Sequence, residues 1–132
     1  MCNHTLNHPD MTKYSTLEQY SAQITGWEEL VTALGVTPSK FLRPPSGLFS
    51  EQTLAFDRQL GYKTVFWSAA YLDWDVNKQM APSEALPKLM SRVHNGAVVL
   101  LHSVSSTNAK ILPQFIDALR ADGYSFGSLE EL

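Results

Sequence analysis

The sequence predicts an α/β fold with a parallel sheet, and three observations lead to this prediction. Short apolar runs rich in β-branched and aromatic residues alternate with longer segments that have helical spacing. Glycines and prolines stand at the ends of these segments, where helices and strands stop. Hydrophobic residues make up 44% of the 132 residues and charged residues 17%, which is typical of a globular chain with a buried core.

The first half of the chain is predicted to contain two helices and an intervening strand. A long helix is expected at residues 15–34, with Gly26 dividing it into two pieces and Gly35 ending it. The run KFLRPP follows as a short strand that must end at its prolines. Ser50 is a good N-cap for a helix of about ten residues, which Gly61 closes.

The second half continues the same alternation. The run KTVFWS has the β-branched and aromatic character of a buried strand. Ser83 is expected to cap the next helix, which Gly96 ends, and AVVLLH is the clearest strand of the chain. Residues 107–121 are predicted as the last helix despite their internal proline, with Gly123 as its stop and YSFGSL as a final strand.

Composition and charge exclude several classes of protein. The formal net charge is −3 and the lysines and arginines are scattered, so the sequence predicts no nucleic-acid binding. No apolar stretch approaches eighteen residues, which argues against a membrane span. The first residues show no signal-peptide pattern, but a truncated N-terminus would hide one, so this observation excludes no location. Cys2 is the single cysteine, so no internal disulfide can form.

Polar residues recur directly after the predicted strands. Arg43 follows KFL, Asp73 and Trp74 follow TVFWSAAYL, and His102 ends AVVLL. Taken one at a time these are ordinary features: a surface arginine, a solvated Asp-Trp-Asp loop and a hydrogen-bonded core histidine. In parallel α/β barrels, however, the carboxyl ends of the strands meet at one face, where active sites form. We therefore expect these segments to converge on one site.

His4 and His8 form an H-x-x-x-H pair at the start of the chain. On spacing alone this pair is a weak signal, since two surface side chains would look the same. Pro9 disfavours helix at His8, so a loop or a first-turn geometry is expected. Imidazole suits zinc and its neighbours in the first transition row, but a catalytic zinc also needs a third protein ligand.

Taken together and in order, the motifs NHTLNH, RPPSG, LDW and LLH resemble those of the polysaccharide deacetylase family, the NodB-homology domain of carbohydrate esterase family four. The stretches FLRPPSGLFSEQTLAF and GYKTVFWSAAYLDWDVN are most similar to its delta-lactam-biosynthetic branch, which deacetylates muramic acid in the peptidoglycan of sporulating bacteria. The resemblance implies an α/β fold that is the C-terminal portion of a distorted (β/α) barrel. A different interpretation, that the chain is a simple α/β interaction module, would require the order of the four motifs to be coincidental.

The resemblance assigns chemical roles to five residues. His4 and His8 would be ligands of a divalent metal ion, with zinc expected. His102 would be the general acid that protonates the departing nitrogen, because the pKa of histidine lies near the working pH. Asp73 would hold His102 in the required tautomer. Arg43 would orient the catalytic carboxylate.

The resemblance also implies a substrate and a location. Trp74 would wall the sugar groove, Leu100 would line the pocket for the acetyl methyl group, and Thr5 would shape the loop or bond a substrate oxygen. The implied reaction is de-N-acetylation of N-acetylmuramic acid in peptidoglycan, ahead of closure of the muramic delta-lactam. The implied location is extracytoplasmic, in the cell wall or spore envelope.

One motif of the family has no counterpart here. The family carries two adjacent aspartates before its histidine motif, one as general base and one as third metal ligand, and Asp10 stands in the wrong place for either role. We therefore expect residues 1–132 to be a single partial domain that lacks the first motif and the first βα elements, and to be inactive or nearly so by itself. The alternative is a non-catalytic remnant that keeps the fold and at most binds glycan. An open sheet edge would favour a homodimer.

Overall fold

The computed structural model describes residues Met1–Leu132, which form two compact units, Met1–Phe66 and Trp67–Leu132. Helices and parallel strand pairings alternate along the chain, so the predicted α/β class is confirmed. None of the helices combines the length and the apolar character that crossing a membrane requires.

The first helix of the first unit, α1 (Leu17–Ala33), is continuous, so the predicted break at Gly26 is wrong. Thr16 caps it by accepting a hydrogen bond from the main-chain N–H of Gln19. The glycine serves packing, because a Cβ at position 26 would lie 2.9 Å from the Cδ2 of Leu6. Gly35 follows the helix with φ +76°, the left-handed conformation that ends helices, as predicted.

The strands of the first unit are short and parallel. Strand β1 (Phe41–Leu42) pairs with β2 (Lys63–Thr64), and Asn3 adds a parallel bridge to Leu42 on the other side of β1. The predicted strand in KFLRPP is confirmed, whereas only the first two residues of KTVFWS pair. Between them, helix α2 (Glu51–Gln59) begins at Ser50 with a capping box, as the sequence indicates.

The core of the first unit includes a buried carboxyl group. Asp57 is 1% exposed, and its two oxygens accept hydrogen bonds from the hydroxyls of Tyr20 (2.5 Å) and Thr64 (2.6 Å). Burial raises the pKa of Asp57 above its ordinary value of 3.8, against the lowering effect of these two bonds. The apolar residues buried in the core of this unit are Met11, Tyr20, Ile24, Leu42 and Tyr62.

The second unit contains two helices of different length, α3 (Pro82–Met90) and α4 (Ser106–Ala121). Helix α3 begins at Pro82 with Ala81 as N-cap, so the predicted cap at Ser83 is wrong. Proline suits the first position of a helix because its missing N–H would have no partner there. Helix α4 matches the prediction and starts from Ser105, whose side chain accepts from the main-chain N–H of Asn108.

Two predicted strands of the second unit differ from the structure. In AVVLLH, only Val99 makes a ladder contact, a parallel bridge to Ala69. In YSFGSL there is no strand, and a 3-10 helix, Leu129–Glu131, follows with Ser128 in a capping box. The apolar residues buried in the core of this unit are Tyr71, Ala85, Leu89, Ile111, Phe115 and Leu119.

Candidate active site

The histidine pair of the first unit lies in a tight loop, as Pro9 predicts. The imidazole rings of His4 and His8 meet edge to face, with 4.9 Å between their centroids. Thr5 (φ 68°) and His8 (φ 53°) both adopt the left-handed conformation, which turns the chain back on itself. The main-chain N–H of His8 donates to the hydroxyl of Thr5 at 3.1 Å, so Thr5 shapes the loop.

Asn3 anchors this loop, although the sequence analysis did not single it out. Its side chain is buried, and its Nδ2 donates to the carbonyl of Ile24 at 3.2 Å and to the hydroxyl of Tyr62 at 3.0 Å. Its Oδ1 accepts from the main-chain N–H of Thr5 at 2.8 Å. The amide therefore ties the loop to helix α1 and to the residue just before β2.

The donor set of the loop fits part of a metal site. The Nδ1 atom of His4 lies 2.6 Å from the carbonyl oxygen of Arg43. A carbonyl only accepts, so the neutral ring carries its proton on Nδ1 and its lone pair on Nε2, the arrangement usual for histidines that ligate metals. Two imidazoles are consistent with two ligands of a divalent ion such as zinc. No group of three or more His, Cys, Asp or Glu side chains suited to a metal occurs in the chain.

Arg43 connects the histidine loop to the turn that follows β1. Its main chain holds His4, and its main-chain N–H donates to the carbonyl of Asn3 at 3.0 Å. Its side chain is half-buried, and burial lowers the pKa of the guanidinium. An arginine nevertheless stays protonated in a protein, and the main chain of this charged residue contacts the histidine loop although 39 positions separate Arg43 from His4.

In the second unit the structure brings Asp73 and His102 into direct contact, although 29 positions separate them. Asp73 Oδ1 lies 2.7 Å from His102 Nδ1, and Asp73 Oδ2 accepts from the main-chain N–H of His102 at 2.6 Å. The side chain of Asp73 is 1% exposed and that of His102 is 31% exposed. The carboxylate thus lies behind the imidazole, with part of the ring open to solvent, as the resemblance implies for an acid and its partner.

Other polar groups hold this pair, and the sequence analysis did not anticipate them. Gln79 donates from Nε2 to the carbonyls of Asp73 (3.2 Å) and Asp75 (2.7 Å), which fixes the loop that carries Trp74. Asn108, in the first turn of α4, contacts both Asp73 and His102. The sequence held one signal for these groups, the largely polar run SVSSTN directly after LLH. The N-cap role of Ser105 explains only one residue of that run.

The predicted substrate-binding residues occupy different environments. Trp74 is 59% exposed, which leaves the indole face open to a ligand. Leu100 is half-buried, and its main-chain N–H donates to the carbonyl of Ala69 at 2.9 Å. Thr5 is 6% exposed and bonds His8, so its hydroxyl already serves the loop.

The sequence and the fold of this chain are both similar to those of known polysaccharide deacetylases. The family model described as polysaccharide deacetylase matches residues 1–65. The peptidoglycan-N-acetylmuramic acid deacetylase PdaA of Bacillus subtilis is 40% identical over 131 residues, which are 98% of this chain and 49% of that protein. Its solved structure, a family 4 carbohydrate esterase, superimposes with a TM-score of 0.92 at 39% identity over 99% of this chain and 56% of that one. Residues 1–65 thus match the polysaccharide deacetylase family, and nearly the whole chain is similar to a family 4 carbohydrate esterase.

The superposition on the Bacillus subtilis structure confirms the predicted deacetylase-type fold. A family 4 pseudoenzyme from Bacillus anthracis is also similar, with a TM-score of 0.84 at 27% identity over 98% of this chain and 44% of that one. The 132-residue chain spans about half the length of the curated relatives that it matches.

Proposed function

We propose that this chain supplies two metal-binding histidines and the proton donor for de-N-acetylation of N-acetylmuramic acid in peptidoglycan, ahead of muramic delta-lactam closure. The observation that carries the proposal is the contact between the buried carboxylate of Asp73 and the Nδ1 of His102 at 2.7 Å. A carboxylate in that position keeps Nδ1 protonated, so that Nε2 is the atom that exchanges a proton with substrate. The relative PdaA, which acts on this sugar, supports the choice of substrate.

The protein groups divide the work of amide hydrolysis among themselves. His4 and His8 would hold a divalent ion, zinc by preference, which when bound polarises the acetyl carbonyl and acidifies water. Water gives a proton to a carboxylate that serves as general base and adds to the carbonyl carbon; the C–N bond then breaks, acetate leaves, and the sugar nitrogen takes its proton from Nε2 of protonated His102. Asp73 stabilises the imidazolium that this step consumes and holds its orientation.

The remaining predicted residues would act on the substrate and the attacking group. Arg43 would orient a carboxylate that serves as general base. The exposed indole of Trp74 would stack on a sugar ring, and Leu100 would contact the acetyl methyl group. We place the reaction in the cell wall or spore envelope, because peptidoglycan lies outside the cytoplasm.

Acetate release from muramic-acid-containing peptidoglycan tests the proposal. Two proteins are compared in the presence of zinc. One is the 132-residue chain, and the other is a chimera in which the part of the Bacillus subtilis relative before its aligned region, where the family's Asp-Asp motif is expected, precedes Met1. We expect release by the chimera and little or none by the chain alone, because general-base catalysis contributes about 10²–10⁴-fold.

The matched variants are His102→Ala and His94→Ala in the chimera. His94 bonds Ser68 and the carbonyl of Asn95 and has no contact with Asp73, so its loss should leave the rate unchanged. Loss of His102 should lower the rate by about 10²–10⁴-fold. Equal rates for the parent chimera and its His102→Ala variant would exclude His102 as the proton donor. Release by the chain alone at the rate of the chimera would contradict the predicted inactivity.

The second candidate is a non-catalytic protein that binds glycan. It is favoured by the donor set, which offers two imidazoles and no group of three metal-binding side chains, and by the likeness to a pseudoenzyme. Sedimentation of the chain with purified peptidoglycan distinguishes the two candidates. Binding that depends on Trp74, together with an inactive chimera, would favour this alternative.

A further inference from the structure

The carboxamide of Asn108 lies behind the Asp73–His102 pair and contacts both of its members. Its Nδ2 donates to Asp73 Oδ2 at 2.6 Å and to the main-chain carbonyl of His102 at 3.0 Å. We propose that Asn108 is a positioning residue, which orients the Asp73 carboxylate so that Oδ1 alone faces His102 Nδ1. The inference rests on the proposed role of His102 as proton donor.

The orientation of this carboxamide is determined by its neighbours. Its two Nδ2 hydrogens face a carboxylate oxygen and a carbonyl oxygen, both of which only accept, while its Oδ1 accepts from the hydroxyl of Tyr71. Rotating the amide by 180° would set its oxygen against two acceptors and its NH₂ group against the tyrosine hydroxyl. One orientation therefore satisfies every bond, and the two acceptor oxygens, of Asp73 and of the His102 main chain, select it.

The arrangement divides the hydrogen bonds of Asp73 between its two oxygens. Oδ2 accepts from two N–H groups, one of Asn108 and one of the His102 main chain, and Oδ1 accepts from the His102 ring. With Oδ2 held at two points, the carboxylate cannot rotate without breaking both bonds. The ring therefore faces a stationary acceptor, which favours the Nδ1–H tautomer.

Helix α4 supplies the rigid support that such a role requires. Asn108 is 5% exposed, and its main-chain N–H donates to the Oγ of Ser105, the N-cap of the helix. Ser105 in turn donates to Oε1 of Gln79 at 2.5 Å, whose amide holds the Asp73 loop. The helix start and the loop are thus joined around the pair, and a site held by a helix is more precise than one held by loops alone.

Proton-coupled nitrogen NMR of the His102 ring in the 132-residue chain tests the proposal without activity. The parent should show mainly the Nδ1–H tautomer. In the Asn108→Ala variant the ratio of the two tautomers should fall by about two- to tenfold, the range that the net loss of one hydrogen bond produces. Thr107→Val is the matched control, one position before Asn108 in the chain. It removes a buried hydroxyl that donates to the carbonyl of Met80, and it should leave the tautomer ratio unchanged.

A folded Asn108→Ala variant with the parent's tautomer ratio would overturn the proposal, and so would an equal change in Thr107→Val. The parent chain supplies a test that needs no substitution, in case the alanine variant does not fold. The carboxamide N–H resonances of Asn108 should move through the same pH midpoint as the His102 ring, because both groups donate to Asp73. Carboxamide resonances that stay constant through that midpoint would also overturn it.

Acetate release by the chimera separates this inference from the proposed function. With both correct, Asn108→Ala should lower kcat by about ten- to a hundredfold with little change in KM, because it misplaces a group without removing it. A shifted tautomer ratio in a chimera that never releases acetate would refute the catalytic role and leave the positioning role established. A normal kcat with a shifted ratio would show that Asn108 does not position the pair for catalysis.

Discussion

Replacing Asp73 by asparagine should invert the tautomer of His102 while keeping the local geometry. The side chain is 1% exposed and accepts three N–H bonds, two at Oδ2 and one at Oδ1. An asparagine has one acceptor oxygen, and the two donors at the Oδ2 position require it there. The NH₂ group of the Asp73→Asn variant must then face Nδ1 of His102, so Nδ1 becomes the acceptor and the proton moves to Nε2.

The size of the effect of Asp73→Asn follows from the hydrogen bonds that the variant keeps and the negative charge that it loses. The two bonds at the Oδ2 position persist with a neutral acceptor, so the free energy of unfolding should fall by about 1–3 kcal/mol, the difference between charged and neutral hydrogen bonds. Protonated His102 loses its anionic partner and meets an NH₂ group instead. Acetate release by the chimera should therefore fall by about 10²–10⁴-fold, the contribution typical of a positioned general acid.

Nitrogen NMR of His102, thermal unfolding and acetate release together decide this prediction. Asp75→Asn is the matched control, since it changes the same chemical group two positions away, where Oδ1 accepts from the main-chain N–H of Asn77. The control should keep the parent's tautomer and rate. An Asp73→Asn variant that keeps the Nδ1–H tautomer, or that releases acetate at the parent's rate, would refute the reasoning.

Further predictions concern the first unit and the assembly of the chain. Since burial raises the folded-state pKa of Asp57 above 3.8, the folded state binds that proton more tightly than the unfolded state, so its contribution to stability is present at low pH and is lost as pH rises through the folded pKa. Denaturant unfolding at a series of pH values above 4 should show this loss in the parent and not in Asp57→Asn, and parallel curves would contradict it. Gly26→Ala should change the free energy of unfolding by less than about 1 kcal/mol, because better helix propensity offsets the displacement of Leu6. A calorimetric zinc titration of this variant should nevertheless show weaker binding, since Leu6 lies in the histidine loop. Unchanged zinc affinity would disprove the link between Leu6 and the metal site. His4→Ala and His8→Ala should each abolish measurable zinc uptake, and uptake retained in the double variant would place the metal elsewhere. Light scattering should find self-association through an open sheet edge, and a strictly monomeric chain would contradict it.

Local signals in the sequence predicted several of the helix starts and ends. Ser50 initiates α2 because its hydroxyl bonds a main-chain N–H three residues away, and Gly35 ends α1 because glycine accepts φ +76° without strain. Both effects act within one helical turn, so neighbouring residues suffice to predict them. The helix start at Pro82 was missed because Ser83, a good N-cap, and Pro82, a good first helical residue, are competing local signals. In the structure the helix begins at Pro82.

The motif order also indicated the family, and with it the nearness of Asp73 and His102. Sequence alone did not determine the length of the strands, because a ladder needs a partner strand: AVVLLH is apolar enough for a strand, yet only Val99 bridges to Ala69. Nor did it reveal Asn108, which reads along the chain as one more polar residue at a helix start. Its role depends on the direction of two N–H bonds and of one hydroxyl from a residue 37 positions away. Such directions arise only when helix and loop pack together, so the tertiary structure alone decided them.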